Sequence, residues 1–208
     1  MNICVFASGS GTNFKAIIDS VKSGFLSSKL SLLITNNPHC TAAEIAKENG
    51  IAVSYINRKL YPGLTDNLYS EKFLEVLEKN EIDFIVLAGY MKKIPDEVIS
   101  RFRDRIINTH PALLPLFGGK DMYGINVHKA VIASGMKVSG ITIHFVEENY
   151  DEGKIIFQKC CEVNNVDDEF SLQEKIKKLE HKYYPEIIKK FENNEVEIVS
   201  GKVFIKNL

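Results

Sequence analysis

Residues 3–13 read Ile3-Cys4-Val5-Phe6-Ala7-Ser8-Gly9-Ser10-Gly11-Thr12-Asn13. Residues 3–7 form a short apolar run of the kind found in strands buried on both faces. Ser8-Gly9-Ser10-Gly11 is a turn, and Thr12 is placed to N-cap a helix whose Phe14, Ile17, Ile18 and Val21 recur at helical spacing. Buried strand, glycine turn and amphipathic helix in direct succession open a βα unit.

The alternation continues outward from this unit. Residues 30–35 read as a second strand ended by Asn36-Asn37-Pro38, residues 41–49 as a helix with Gly50 as its C-terminal cap, and residues 52–56 as a third strand. A helix over 68–79, a buried strand over 84–88, a helix opened by Pro95 with Val98, Ile99 and Phe102 inward, and the run Arg105-Ile106-Ile107 extend the series. The pattern predicts an α/β fold with a mostly parallel, twisted, doubly wound sheet and right-handed crossovers. After residue 110 the texture changes. Residues 116–126 are Gly-rich and irregular, 127–134 form a helix, and 138–146 with 154–163 suggest an antiparallel strand pair. One long helix covers 170–191, where Pro185 is expected to bend or interrupt it, and 196–199 with 203–205 read as a terminal hairpin. The economical organisation is a single domain over 1–208. Its half at 1–108 is nucleotide- or phosphate-binding, and 109–208 carries a lid loop, the antiparallel strands and the C-terminal helix.

With 208 residues, 45% apolar and 25% charged, the chain has the size and composition of an ordinary globular domain. A net charge of −1 gives no global footprint for nucleic acid. No apolar run approaches the roughly 18 residues of a membrane span. Met1-Asn2 leads straight into a core-like strand, without the basic start and apolar stretch of a signal peptide, so a cytoplasmic protein is expected. The cysteines Cys4, Cys40, Cys160 and Cys161 make no C-x-x-C pair, and adjacent residues of a strand face opposite sides. That pattern suits neither zinc nor a disulfide framework, and reads as reduced thiols used partly as small apolar residues.

Two segments carry chemistry. In the first turn, glycines let the backbone approach a ligand while the helix N-terminus offers N–H groups to an anion. Phe14 replaces the third glycine of a dinucleotide fingerprint, and the second strand ends in Asn36-Asn37 instead of an acid, so a single phosphate fits better than a dinucleotide. A plain Gly-rich turn is the alternative. The second segment is Asn108-Thr109-His110-Pro111, at the carboxyl end of a strand, where open α/β sheets bind ligands. Asn108 can donate to a developing oxyanion and His110 can move a proton near neutral pH, a pair suited to acyl-group chemistry. The plain alternative is ordinary polar residues at a strand end. Asp151, in Asp151-Glu152-Gly153, can reach the same edge and hold an imidazole oriented and charged, or serve only as a turn residue before Gly153. His128 opens a helix beside the Gly-rich loop and is a candidate substrate contact. His144, inside a strand, reads as a structural histidine.

Taken in order, Gly9-Ser10-Gly11-Thr12-Asn13, Leu87-Ala88-Gly89-Tyr90-Met91, Asn108-Thr109-His110-Pro111 and Asp151-Glu152-Gly153 resemble the folate-dependent formyltransferases over essentially the whole length. The glycine loop ending in Asn13 is similar to that of members acting on glycinamide ribonucleotide. The resemblance implies a Rossmann-like formyltransferase fold with helices on both faces and antiparallel C-terminal strands. It implies transfer of the formyl group of 10-formyltetrahydrofolate to the ribonucleotide amine in de novo purine biosynthesis. Gly11, Thr12 and Asn13 would hold the 5′-phosphate. Met91, Lys92, Lys93, Ile94 and Asn108 would bind the folate, and Glu180 and Lys177 the ribonucleotide. Asn108, protonated His110 and Asp151 would form the catalytic trio. No metal is implied, because the formyl donor is already activated. Partners would be small molecules, with no nucleic acid and no membrane, and the assembly a monomer or homodimer.

Several positions depart from the family pattern. Ala112 stands where serine is common and supplies no hydroxyl, and Lys92-Lys93 replaces an arginine and an apolar residue. An arginine that contacts the folate tail has no match near Asp66 and Asn67. The loop over 118–124 is longer than in many relatives and reads as a mobile lid. Formyltetrahydrofolate hydrolase is the second enzyme reading, expected to carry an extra N-terminal regulatory domain. A transfer-RNA formyltransferase would carry a C-terminal nucleic-acid-binding domain. The non-enzyme reading is a phosphate-sensing module on the same scaffold.

Overall fold

Ile3, Cys4, Val5 and Phe6 are fully buried in β1 (Asn2–Phe6). The strand pairs in parallel with β2 (Lys29–Thr35) on one side and β4 (Phe84–Leu87) on the other. Burial on both faces is why these strands are continuous apolar runs, and each large aliphatic side chain so buried stabilises by about 1.5–3 kcal/mol. The computed structural model describes residues 1–206, in which the chain divides into two units, Met1–Ile107 and a second that begins at Asn108.

In the first unit β3 (Ala52–Tyr55) pairs in parallel with β2, and the strand order is β3-β2-β1-β4. The connecting helices are α1 (Thr12–Lys22), α2 (Thr41–Glu48), α3 (Asp66–Lys79) and α4 (Asp96–Arg101). The chain runs outward from β1 through β2 to β3, then returns to β4 on the other side of β1. That makes the β1/β4 boundary a topological switch point, where the following loops diverge and leave a crevice.

Two local expectations are corrected here. Thr12 does not cap α1 but is its first residue. The cap is Gly11, at φ 71° and with no side-chain bond. A Cβ on Gly11 would lie 2.9 Å from the Ala42 Cα, so both the left-handed backbone and the close approach of α2 require glycine. Helix α3 begins at Asp66, capped by Thr65 accepting from the Leu68 N–H, and a 3₁₀ turn at Arg58–Leu60 precedes it.

Strand β5 (Ile106–His110) begins in the first unit and ends in the second, so Asn108 and His110 lie within the strand and Pro111 ends it. In the second unit the order continues β5-β6-β7, where β6 (Val138–Phe145) and β7 (Ile155–Glu162) are antiparallel. Helix α5 (Ile125–Ser134) precedes β6. Helix α6 (Glu169–Glu192) follows β7, opened by a capping box in which Asp168 accepts from the Phe170 and Ser171 N–H groups. Pro185 does not interrupt α6. It removes only its own N–H from the ladder, while buried Tyr184, Ile187 and Ile188 anchor the helix around it. Leu172 and Ile176 of α6 pack with Val131, Ile141 and Val163 to form the core of this unit. β8 (Val196–Val199) and β9 (Lys202–Ile205) form the separate hairpin expected.

Candidate active site

A strand turns successive side chains to opposite sides, so Asn108 and His110 share one side of β5 and Thr109 takes the other. The same alternation in β6 puts Thr142 and His144 together. Thr142 fixes the segment after His110: its hydroxyl donates to the Ala112 carbonyl at 2.7 Å and accepts from the Leu114 N–H at 2.9 Å. Gln158 adds a bond to the Leu114 carbonyl at 3.0 Å. The Ala112 side chain is fully buried beside this clamp.

His144 is the buried, hydrogen-bonded histidine expected, and it is bonded to Asn108. Its Nδ1 lies 2.8 Å from the Phe145 carbonyl, which can only accept, so Nδ1 carries the proton. Neutral Nε2 then presents a lone pair, and the Asn108 Nδ2 donates to it at 3.2 Å. That contact fixes which way the Asn108 amide points and leaves its second N–H for another acceptor. Asp151 completes the cluster, with Oδ2 3.5 Å from His110 Nδ1 and Oδ1 3.6 Å from His144 Nε2. The carboxylate arrives there on the turn after β6. Asp151 adopts φ 58°, and a Cβ on Gly153 would sit 1.8 Å from the Phe145 carbonyl oxygen. Gly153 therefore lets the turn fold tightly against the end of β6, which is the physical content of the Asp-x-Gly pattern.

The loop expected to be a lid is bonded to these residues. His110 Nε2 donates to the Phe117 carbonyl at 2.8 Å, and the Gly119 N–H donates to Asp151 Oδ2 at 2.9 Å. Phe117 itself adopts φ 56°, an uncommon conformation for a bulky residue. Burial pushes the His110 pKa below its ordinary value, opposed by the Asp151 charge and the Phe117 carbonyl. The expectation of a protonated His110 therefore changes: at rest the ring is neutral, with a lone pair at Nδ1 facing Asp151. Burial also lowers His144, against the Phe145 carbonyl and Asp151. His128 is lowered to about 4 by burial and by the Lys177 and His110 charges, and its Nδ1 is buried without a hydrogen-bond partner.

Glu180 lies in the buried stripe Leu172, Ile176, Glu180, Tyr184, Ile188 of α6 and is 8% exposed. A carboxylate among apolar neighbours needs a partner, and Thr109 donates to its Oε1 at 3.1 Å. Lys177, one turn earlier, pairs with Glu174 at 2.7 Å. In the first unit the N–H groups of the glycine turn lie at the start of α1. In the 89–94 loop, Ile94 is buried, Met91 and Lys92 are exposed, and Lys93 pairs with Asp96 at 2.8 Å. Among the described residues no group of three His, Cys, Asp or Glu side chains is placed to hold a metal ion. No helix among them is long and apolar enough to cross a membrane.

An amide N–H aimed by a neutral histidine, a second histidine with a free ring nitrogen and a carboxylate facing it can stabilise an oxyanion and carry a proton. The structure brings Asn108, His110 and Asp151 into one cluster and adds His144, which the sequence placed in a strand as a structural residue. The signal for it was a histidine one residue from each of Ile143 and Phe145, on the same side as Thr142.

The chain belongs to the formyl transferase family, whose pattern matches residues 1–188. It is 44% identical over 187 residues to the chloroplastic phosphoribosylglycinamide formyltransferase of Arabidopsis thaliana, covering 89% of this chain and 63% of that one. The phosphoribosylglycinamide formyltransferase of Bacillus subtilis (strain 168) is 37% identical, with 89% of this chain and 91% of that one covered. Among solved structures, glycinamide ribonucleotide transformylase 1 from Symbiobacterium toebii superposes with a TM-score of 0.90 at 32% identity, covering 99% of this chain and 93% of that one.

Proposed function

We propose that this chain is a phosphoribosylglycinamide formyltransferase, moving the formyl group of 10-formyltetrahydrofolate to the amine of N1-(5-phosphoribosyl)glycinamide in purine biosynthesis. The observation that carries the reading is the approach of Asp151 to His110 beside an Asn108 amide held by His144. The substrate amine attacks the formyl carbon, a C–N bond forms, and the carbonyl π pair moves to oxygen. The second N–H of Asn108 stabilises that oxyanion. The proton leaving the amine nitrogen is taken up at His110 Nδ1, where Asp151 faces the imidazolium. It passes to N10 as the original C–N10 bond breaks, giving the formylated ribonucleotide and tetrahydrofolate. Gly11, Thr12 and Asn13 hold the 5′-phosphate, Glu180 and Lys177 contact the ribonucleotide, and the backbone of Met91 to Ile94 holds the pterin. The chain works without a metal on small molecules, as a cytoplasmic monomer or homodimer.

The test is formyl transfer with the purified chain, following tetrahydrofolate release with and without the ribonucleotide. Turnover that requires both substrates is expected. Formate release at the same rate without ribonucleotide would instead make the chain a hydrolase.

A further inference from the structure

Ser8 belongs by sequence to the glycine turn after β1, yet its side chain reaches across the switch point to the loop after β4. The Ser8 N–H donates to the Gly89 carbonyl at 3.1 Å, and the Met91 N–H donates to Ser8 Oγ at 2.9 Å. With Oγ accepting from Met91, its own proton goes to Asn36 Oδ1, at 2.5 Å. Asn36 is itself tethered, its backbone carbonyl accepting from Asn57 Nδ2 at 2.8 Å. The amide at the end of β2, where a dinucleotide site would carry an acid, is thus spent on orienting a serine hydroxyl. The exposed stretch 91–93 runs between Tyr90, edge-on against Phe6 at 5.2 Å, and buried Ile94. Side chains anchor its two ends, and Ser8 holds its backbone at Met91.

We infer that Ser8, oriented by Asn36, is a positioning residue for the folate substrate: it sets the backbone of the 89–94 loop, although it sits in the turn assigned to the ribonucleotide phosphate. This rests on the function proposed above. A serine that only shaped its own turn would affect the ribonucleotide, whereas one that holds Met91 affects the folate.

Initial rates of Ser8→Ala are to be titrated in each substrate, beside Asn36→Ala, Asn36→Asp and a thermal melt of each variant. Losing one hydrogen bond to a positioned backbone amide should raise the KM for 10-formyltetrahydrofolate about five- to tenfold. The ribonucleotide KM should stay within about twofold, because the N–H groups at the start of α1 are untouched. Asn36→Ala should show the same split, and Asn36→Asp, which keeps an acceptor for the Ser8 hydroxyl, should restore near-normal folate KM. Should Ser8→Ala not fold, the two Asn36 variants decide alone. Equal rises in both KM values, a rise for the ribonucleotide only, or no rise at all would overturn the inference. Absence of formyl transfer by the unmodified chain would instead remove the proposed function.

Discussion

In the proposed mechanism His144 never meets the substrate and works only through Asn108. The Asn108 amide is aimed because His144 Nδ1 is committed to the Phe145 carbonyl, leaving Nε2 to accept from it. Removing the donor itself should cost on the order of 10²–10³ in kcat, the usual effect of deleting one oxyanion contact. Removing His144 leaves the donor in place but frees its rotation, so His144→Ala should lose about tenfold in kcat, near the worth of one hydrogen bond. The ribonucleotide KM should hardly move in either protein. Both changes act on the same amide, so the double variant should be no slower than Asn108→Ala alone. Steady-state formyl transfer on all three proteins measures this directly. Losses that multiply in full would mean that His144 contributes independently of Asn108.

The turn joining β6 and β7 shows how backbone geometry delivers a side chain. Gly153 lies so close to the Phe145 carbonyl that any Cβ must push the turn outward, and Asp151 sits two residues away. Asp151→Asn should slow turnover by removing the charge that faces His110, and Gly153→Ala should reproduce that defect while leaving Asp151 in the sequence. Kinetics and a structure of the variant check this, and full activity with Asp151 still beside His110 would refute it. Asp-x-Gly was legible in the sequence as a motif, but the reason for its glycine was not, because it depends on a carbonyl eight residues earlier in the chain. The same division holds elsewhere. β1, β2 and β4 were legible because strands buried on both faces are unbroken apolar runs bounded by Gly, Asn or Pro. The reach of β5 to His110 was not, since polar Asn108 and Thr109 are tolerated in a strand only through partners from β6 and α6. Pro185 looked like a break, but two buried flanks outweigh one missing bond. Glu180 carried a readable signal as the lone charge in an apolar helix stripe, although its partner Thr109 lies far off in sequence.

Four histidines, His110, His128, His144 and His181, share one electrostatic property: burial lowers the pKa of each below its ordinary value. In the unfolded chain each takes a proton near pH 6.5, whereas the folded protein resists protonation down to lower pH, to about 4 for His128. Across that interval the unfolded state binds more protons, so stability rises with pH and is lost as pH falls. Global charge repulsion is a weak competitor, because the net charge is −1 and only five histidines can add to it. Carboxylates lowered by their partners, Asp167 with Lys175, Asp168 with the Ser171 N–H and Glu195 with Lys190, keep their contribution above the ordinary carboxylate range and lose it as pH falls from there through their own reduced values. The histidine window therefore comes first as the solution is acidified. Urea midpoints taken from pH 8 to pH 5 should be steady at the alkaline end and fall below about pH 6.5. His128→Gln, which removes a strongly shifted group, should flatten the fall without abolishing it, since three others remain. A midpoint that holds constant or rises between pH 7 and pH 5 would mean that these rings are not held neutral by the fold. The resting His110 with a free Nδ1, on which the proton transfer depends, would then be lost as well.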